Sequence, residues 1–439
     1  MVAQDDSARD DSAATSIGAP VRARIAASLA PVDAELGRRY PGDPGTRQPV
    51  HTVYVPADAF RARTVRDWGR QALDALDAHA PDAGAFAAAV GLSEGAAEVY
   101  GRVRAKLARE PVEDLRIDFE DGYGPRSDDE EDAAAVAAAR LLADAVGDGS
   151  APPYAGIRAK CLEAAVRDRG IRTLDLFLTA LLRACGGVLP DGLVLTLPKV
   201  TYPEQVSAMA ALLGEFEKAH GLAAGRLGFE IQIETTQAVL GADGRATVAR
   251  MIDAAGGRAT GLHYGTFDYS AACGVSAAYQ SLDHPVADHA KAVMQLAAAG
   301  TGVRLSDGST NVLPVGDTAR VHAAWRLHYG LVRRSLARAY YQGWDMHPGH
   351  LATRYAAVYA FCREGLDAAC ARLAAYAGRG AGADGGAGGV LDEPATARAL
   401  SGYLLRGLDC GAVDTAEVTE RTGLGRAELD ALAGRAPRG

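Results

Sequence analysis

Eight short apolar runs, separated by helix-length stretches, constrain this chain more than any other feature. They lie at residues 53–56, 115–119, 156–160, 193–198, 228–234, 260–265, 302–306 and 340–345, with midpoints 63, 41, 37, 36, 32, 41 and 39 residues apart. The intervening stretches are Ala-rich. Each leaves room for about one helix, and the first for two. Parallel strands need crossovers of this length, whereas antiparallel strands are joined by tight turns. Eight β–helix units predict a (β/α)₈ TIM barrel, an α/β fold of about 250 residues or more. The alternative, a doubly wound open sheet, usually opens with a Gly-rich phosphate loop, and none follows the first run.

The barrel gives meaning to a second pattern. In Leu115-Arg116-Ile117-Asp118-Phe119-Glu120-Asp121 and Phe229-Glu230-Ile231-Gln232-Ile233-Glu234, apolar residues alternate with charged or amide ones. Alternation sends the two sets to opposite faces of a strand. Leu115, Ile117, Phe119, Phe229, Ile231 and Ile233 are expected against the outer helices. Asp118, Glu120, Glu230, Gln232 and Glu234 are expected in the lumen. Barrel active sites sit at the C-terminal ends of the strands. That rule selects Glu120, Asp121, Arg158, Lys160, Lys199, Glu234 and Asp268.

Glu234 and Asp268 are 34 residues apart, one βα unit, so adjacent strands bring two carboxylates to one rim. Carboxylates with no nearby Cys and few His favour a hard divalent ion, Mg²⁺ or Mn²⁺. Magnesium keeps several waters, which a chelating 2-oxo acid can replace. The plainer reading of each residue is a helix N-cap or a surface carboxylate. Arg158 offers fixed, bidentate donors to a substrate carboxylate or a developing enolate oxygen; a salt bridge to Glu120 or Asp121 is its structural alternative. Lys199 reads either as a Schiff-base lysine or as an ion pair in the acidic cluster, and the second is preferred. His347 is an acid–base candidate or a helix cap. His51 and His263 are weaker candidates, the latter read as an interior histidine with its hydrogen bonds met.

Composition narrows the partners. The formal charge of −9 does not suggest nucleic acid, and no run of 18 apolar residues suggests a membrane span. The six cysteines form no CxxC pair and read as reduced thiols of a cytoplasmic protein. The expected partner is a small-molecule substrate, with a homo-oligomer left open. Residues 1–20 read as a disordered tail and 21–375 as the barrel, beginning with one short helix. Residues 376–392 read as a Gly-rich linker and 393–439 as a helical extension. The linker's Gly380, Gly382 and Gly385 spell GxGxxG but follow no strand, so they do not read as a nucleotide loop.

Several motifs resemble the aldolase/citrate lyase family, citrate lyase β-like and HpcH/HpaI-type, with malate synthase a more distant likeness. Val53-Tyr54-Val55-Pro56-Ala57-Asp58 resembles its opening VPGD-type segment, and Asp118-Phe119-Glu120-Asp121 its D-[LF]-E-D segment. Gly156-Ile157-Arg158 is similar to its arginine strand. Leu197-Pro198-Lys199-Val200 resembles its LPKV segment, Ile233-Glu234-Thr235 its IET segment, and Gly265-Thr266-Phe267-Asp268 its G-x-x-D segment. Gln342 to Pro348 resembles its closing G-x-x-x-x-H-P. The order holds across residues 50–370.

The resemblance implies Mg²⁺ at Glu234 and Asp268, and substrate contacts from Arg158, Pro198 and Gly265. It implies a catalytic role for Arg158; beside it, the residues themselves suggest that Glu120 or Asp121 would hold metal waters or Arg158 and could relay a proton, with Lys199 the remaining catalytic candidate. The implied activity is carbon–carbon bond cleavage through a metal-stabilised enolate of a 2-oxo acid or an acyl-CoA thioester. Condensation of an acyl-CoA, as in malate synthase, and a catalytically silent ligand-binding barrel are the alternatives. Arg61, Arg63 and Arg66 are the arginines available for a CoA phosphate. Asp409 or Asp414 would stand for the malate synthase C-terminal aspartate. The chain departs from the family at Gly122-Tyr123-Gly124-Pro125, at the acidic run 128–132, and at a long segment after Asp307.

Overall fold

The computed structural model describes residues 16–379 and 393–435. The chain divides into two units, Met1–Pro41 and Gly42–Gly439. In the first, the described residues form one helix, Ala19–Arg39, with a proline in its first turn and no buried residue. At 21 residues it is not the short helix expected, and it starts inside the stretch expected to be disordered. Residues 1–15 and the GxGxxG glycines lie outside the described residues.

The second unit holds eight parallel strands: β1 His51–Pro56, β2 Asp114–Asp118, β3 Tyr154–Arg158, β4 Leu193–Leu197, β5 Phe229–Ile233, β6 Ala259–Tyr264, β7 Arg304–Ser306 and β8 Gly343–Asp345. They pair in the order β7-β6-β5-β4-β3-β2-β1-β8. A parallel bridge from Ser306 to Gln342 closes the ring, with Asp307 N–H donating to Gln342 O at 2.9 Å. The barrel is thus the expected one. The helix-facing side chains Leu115, Ile117, Phe229, Ile231 and Ile233 are at most 1% exposed, and Phe119 is buried with them.

The first gap holds three helices rather than two: Thr64–His79, Ala83–Val90 and Ala96–Arg109. Asp82 caps the second by accepting from Ala85 N–H. Gly91 and Gly95, both at positive φ, end it and turn the chain into the third. The acidic run opens the helix Asp128–Gly147, where Ser127 and Glu130 form a capping box. Carboxylates in a first turn oppose the helix dipole favourably. Beyond residue 393 the extension forms helices Pro394–Cys410, Thr415–Thr422 and Arg426–Ala433.

Register fixes what fills the lumen. Asp118 is level with Arg158, Arg158 with Thr196, and Thr196 with Glu230. One layer deeper, fully buried Arg116 pairs with Asp114 and with Glu230 at 2.7 Å. Its Nε donates to Thr196 Oγ1. His263 meets Glu230 at 3.0 Å, so it is the interior histidine expected. Barrel interiors are usually packed with branched apolar side chains. Here the lumen is held by paired charges, which are costly to break one at a time.

Candidate functional site

The C-terminal rim of β2 to β6 gathers the charged residues. Asp118, the last residue of β2, is 2% exposed. It takes a bidentate ion pair from Arg158, with Nε to Oδ1 and Nη2 to Oδ2 both at 2.7 Å. Its two oxygens also accept the backbone N–H groups of Glu120 and Gly122, at 3.0 and 2.9 Å. One carboxylate therefore fixes both the arginine and the turn that carries Glu120. The salt bridge given as the alternative for Arg158 is present to Glu120, whose Oε2 lies 3.6 Å from Nη1, but Asp118 is the main partner. Nη1 also reaches Gln232 Oε1 at 3.3 Å. The guanidinium is stacked by Tyr54 and Trp344, 4.7 and 5.5 Å from their ring centres, a cation–π arrangement that fixes its plane.

Lys199 follows Pro198, buried at the end of β4, and holds a left-handed φ of 50°. That conformation is strained for a residue with a side chain. It aims the backbone N–H at Glu234 Oε1, 2.7 Å away. The ammonium meets Glu120 Oε1 at 2.5 Å and Asp121 Oδ1 at 2.6 Å, and lies 3.9 Å from Asp268 Oδ2. Burial opposes the charged form, but the Asp121 and Glu120 carboxylates outweigh it and hold the lysine above its usual range. A protonated lysine is a poor Schiff-base nucleophile, so the geometry agrees with the ion-pair reading. Burial raises the Glu120 carboxyl against the pull of Arg158 and Lys199. Asp121, though partly desolvated, is lowered by its bond from Lys199.

Glu234 follows the last residue of β5 and is 4% exposed. Gln232 donates to its Oε2 at 2.8 Å. Burial pushes its pKa up to about 8, while Arg158 and the Lys199 N–H pull it down and Asp268 and Glu120 add to the rise. Gly265, at the end of β6, is the wall of this cradle. A Cβ there would meet Glu234 Cβ at 2.4 Å and Oε2 at 2.6 Å. Asp268 stands at the mouth with its side chain 51% exposed.

Among the described residues, no three His, Cys, Asp or Glu side chains come together as a group that could hold a metal ion. The donor set nonetheless suits a hard cation with open positions. Glu234 is a desolvated carboxylate that a cation would compensate. Glu120 Oε2 is buried without a hydrogen-bond partner.

Other sequence candidates sit elsewhere. Lys160 turns to Phe119 O and Glu131, at 2.9 and 2.5 Å. His347 Nδ1 accepts from Gly349 N–H and caps the turn after β8. His51 is buried between Asp345 and the Glu113 N–H. Asp409 pairs with Arg426 and Arg435, and Asp414 with Arg102. Arg61, Arg63 and Arg66 are exposed beyond β1. Asp118, Gln232, Tyr54 and Trp344 were not singled out as site residues. For Asp118 and Gln232 the signal was a spacing of two from Glu120 and Glu234 on the same strand face.

The family model of DUF6986, a domain of unknown function, matches residues 29–436. The chain belongs to the DUF6986 family. No curated protein matches it. Among solved structures, this DUF6986 chain is similar to a citrate lyase from Burkholderia xenovorans, at 17% identity and a TM-score of 0.50, covering 85% of this chain and 96% of that one. It is also similar to a Haloferax volcanii malate synthase, at 15% identity and a TM-score of 0.48, over 70% and 72% of the two chains. A citrate lyase β subunit from M. tuberculosis, complexed with oxaloacetate and magnesium, aligns at 17% identity and a TM-score of 0.39, over 73% and 98%. At these identities the likeness is one of fold. No helix among the described residues is long and apolar enough to cross a membrane.

Proposed function

We propose that this barrel is a Mg²⁺-dependent carbon–carbon lyase that forms an enolate from a 2-oxo acid or an acyl-CoA thioester. The observation that carries this reading is the Glu234 cradle. It is a desolvated carboxylate held by Lys199 N–H and Gln232, walled by Gly265, and set beside an immobilised arginine. Glu234 and Asp268 would hold Mg²⁺ or Mn²⁺. When bound, the ion supplies Lewis-acid polarisation of a carbonyl oxygen, worth several kcal/mol to a developing enolate.

The protein's own groups do the rest. Cleavage breaks the bond to a hydroxyl-bearing carbon: that hydroxyl gives up its proton to a base and becomes the carbonyl of the departing fragment, while the bond's electron pair stays on the carbon next to the substrate carbonyl and spreads to the enolate oxygen. Arg158 Nη1 is the guanidinium nitrogen not engaged by Asp118; its contacts, Gln232 Oε1 at 3.3 Å and Glu120 Oε2 at 3.6 Å, are longer, so it is the donor that would turn to that oxygen. Its orientation is set beforehand by Asp118, Tyr54 and Trp344, so little reorganisation accompanies the reaction. Glu120, with a raised pKa and a buried oxygen that makes no hydrogen bond, is suited to carry a proton to or from the reacting carbon. Lys199 keeps Glu120 and Asp121 in place and stays an ammonium.

Enolate formation can be read without knowing the physiological substrate. Pyruvate and a short acyl-CoA are incubated in D₂O with protein and Mg²⁺, and α-proton exchange is followed by NMR. Exchange should require both protein and metal, and should vanish in Glu234→Gln. Glyoxylate added with acetyl-CoA tests condensation. Exchange that persists after chelation, or its absence from both probes, removes the proposal.

A further inference from the structure

The helix Ala19–Arg39 presents a continuous apolar stripe: Val21, Ile25, Leu29, Val32 and Leu36 recur at spacings of 4, 4, 3 and 4. At the ideal helical period that rhythm keeps all five on one face of a helix about 32 Å long, which runs unbroken through Pro31. Each is between 37% and 63% exposed. A row of large apolar side chains in water marks a surface that is covered by something. We infer that this helix pairs antiparallel with the same helix of a second copy of the chain, making the protein a homodimer.

The occupant and its direction follow from symmetry in the sequence. A two-fold axis passing between Ser28 and Leu29 sets Val21 level with the partner's Leu36, and Ile25 level with the partner's Val32. Leu29 lies at the axis and packs near its own copy. The seam is therefore self-complementary, as a two-fold interface requires.

The charged residues beside the stripe select the orientation. At about 100° per residue, Arg22 and Asp33 fall on one flank of the stripe, and Arg24 and Glu35 on the other. In an antiparallel two-fold pair each flank faces its own copy. Arg22 then meets the partner's Asp33, and Arg24 the partner's Glu35, each staggered by about two residues or 3 Å along the axis. An arginine side chain spans that easily. A parallel pair would instead set Arg22 beside the partner's Arg24 and Asp33 beside the partner's Glu35, like against like. Glu35 already takes Arg38 at 2.8 Å within its own helix, so the Arg22–Asp33 flank carries the cleaner contact. A helix that lies on an anionic membrane typically carries Lys and Arg along its polar face. Here acidic groups sit on both flanks, which favours a protein partner of matching pattern.

Sedimentation velocity on the full chain across a micromolar range tests this. The wild type should sediment as a dimer. Leu29→Asp places two carboxylates at the axis and should raise the dissociation constant by about 100-fold or more. The double variant Arg22→Glu/Arg24→Glu turns both antiparallel flanks acidic and should weaken the dimer by about tenfold or more. Adding Asp33→Arg/Glu35→Arg to that variant restores opposite charges and should restore the dimer. All these positions are exposed or half-exposed, and an unchanged thermal midpoint at low concentration separates lost pairing from misfolding. A monomeric wild type, whether or not it sediments with anionic vesicles, overturns the inference. So does a dimer indifferent to Leu29→Asp. A dimer that tolerates the double arginine reversal overturns the antiparallel arrangement. None of these readouts depends on the enzymatic reading.

Discussion

Replacing Asp118 with Asn tests how the arginine at the rim is held. Asp118 receives two bonds from Arg158 at 2.7 Å and two from backbone N–H groups, at 2% exposure. The amide keeps the size and one acceptor but removes the charge. Breaking a buried ion pair from one side costs about 3–5 kcal/mol, because the remaining charge is left in a poor solvent. Glu120 Oε2, already 3.6 Å from Nη1, can compensate in part, which places Asp118→Asn at the lower end, about 3 kcal/mol. Asp118→Ala also strands the Glu120 and Gly122 N–H groups. Asn keeps an acceptor for only one of these two donors, so at about 1 kcal/mol per stranded N–H the alanine variant should be roughly 1 kcal/mol worse than the asparagine one.

The sharper test is the double variant Asp118→Asn/Arg158→Met. If the cost comes from an uncompensated guanidinium, removing the guanidinium should make the double variant no less stable than Asp118→Asn alone. The two effects will then be far from additive. Urea unfolding followed by circular dichroism, with the slope checked for constancy, gives the four free energies. A loss under about 1 kcal/mol for Asp118→Asn, or strict additivity in the cycle, would refute the account.

Two further outcomes follow from the cradle. The folded pKa of Glu234, about 8, lies above the ordinary 4.5 because of burial, so the metal-free fold retains a proton that the unfolded chain has released. That contribution is complete below pH 4.5 and is lost as pH rises through 8. Wild type should therefore lose up to about 5 kcal/mol relative to Glu234→Gln across that window in chelator, and parallel stability curves for the two would sink the assignment. Gly265→Ala places a methyl 2.4–2.6 Å from Glu234 atoms. It should lower metal-dependent exchange by about 100-fold through misplacement of the carboxylate, and unimpaired exchange would show that the wall is not needed.

The strand positions were legible because their signal is local. Period-two alternation at 115–121 and 229–234 states which side chains enter the lumen, and it did so correctly for Asp118, Glu120, Glu230, Gln232 and Glu234. What lies opposite what was not legible. The register that levels Asp118 with Arg158 belongs to a pairing between strands 40 residues apart. The rings that clamp the arginine come from β1 and β8, the first and last strands in sequence, which pair side by side. Ala-rich sequence hid the number of helices in the first gap, since alanine suits every helix and marks no boundary. The breaks there come from Asp82, Gly91 and Gly95. Lys199 was read from a motif, but its left-handed backbone, which turns a main-chain donor onto Glu234, has no signature in the residue itself.

The ring is fastened unevenly. β7 and β8 are three residues each, and between them the closure rests on the single Ser306–Gln342 bridge and its neighbouring backbone bonds. Asp118, Arg158, Lys199, Glu234 and Asp268 are carried by β2 to β6 and the segments that follow them. Amide exchange should therefore be fastest at the β7–β8 closure and slowest along β2 to β6, where most of the ladders that space the charged half of the rim are longer.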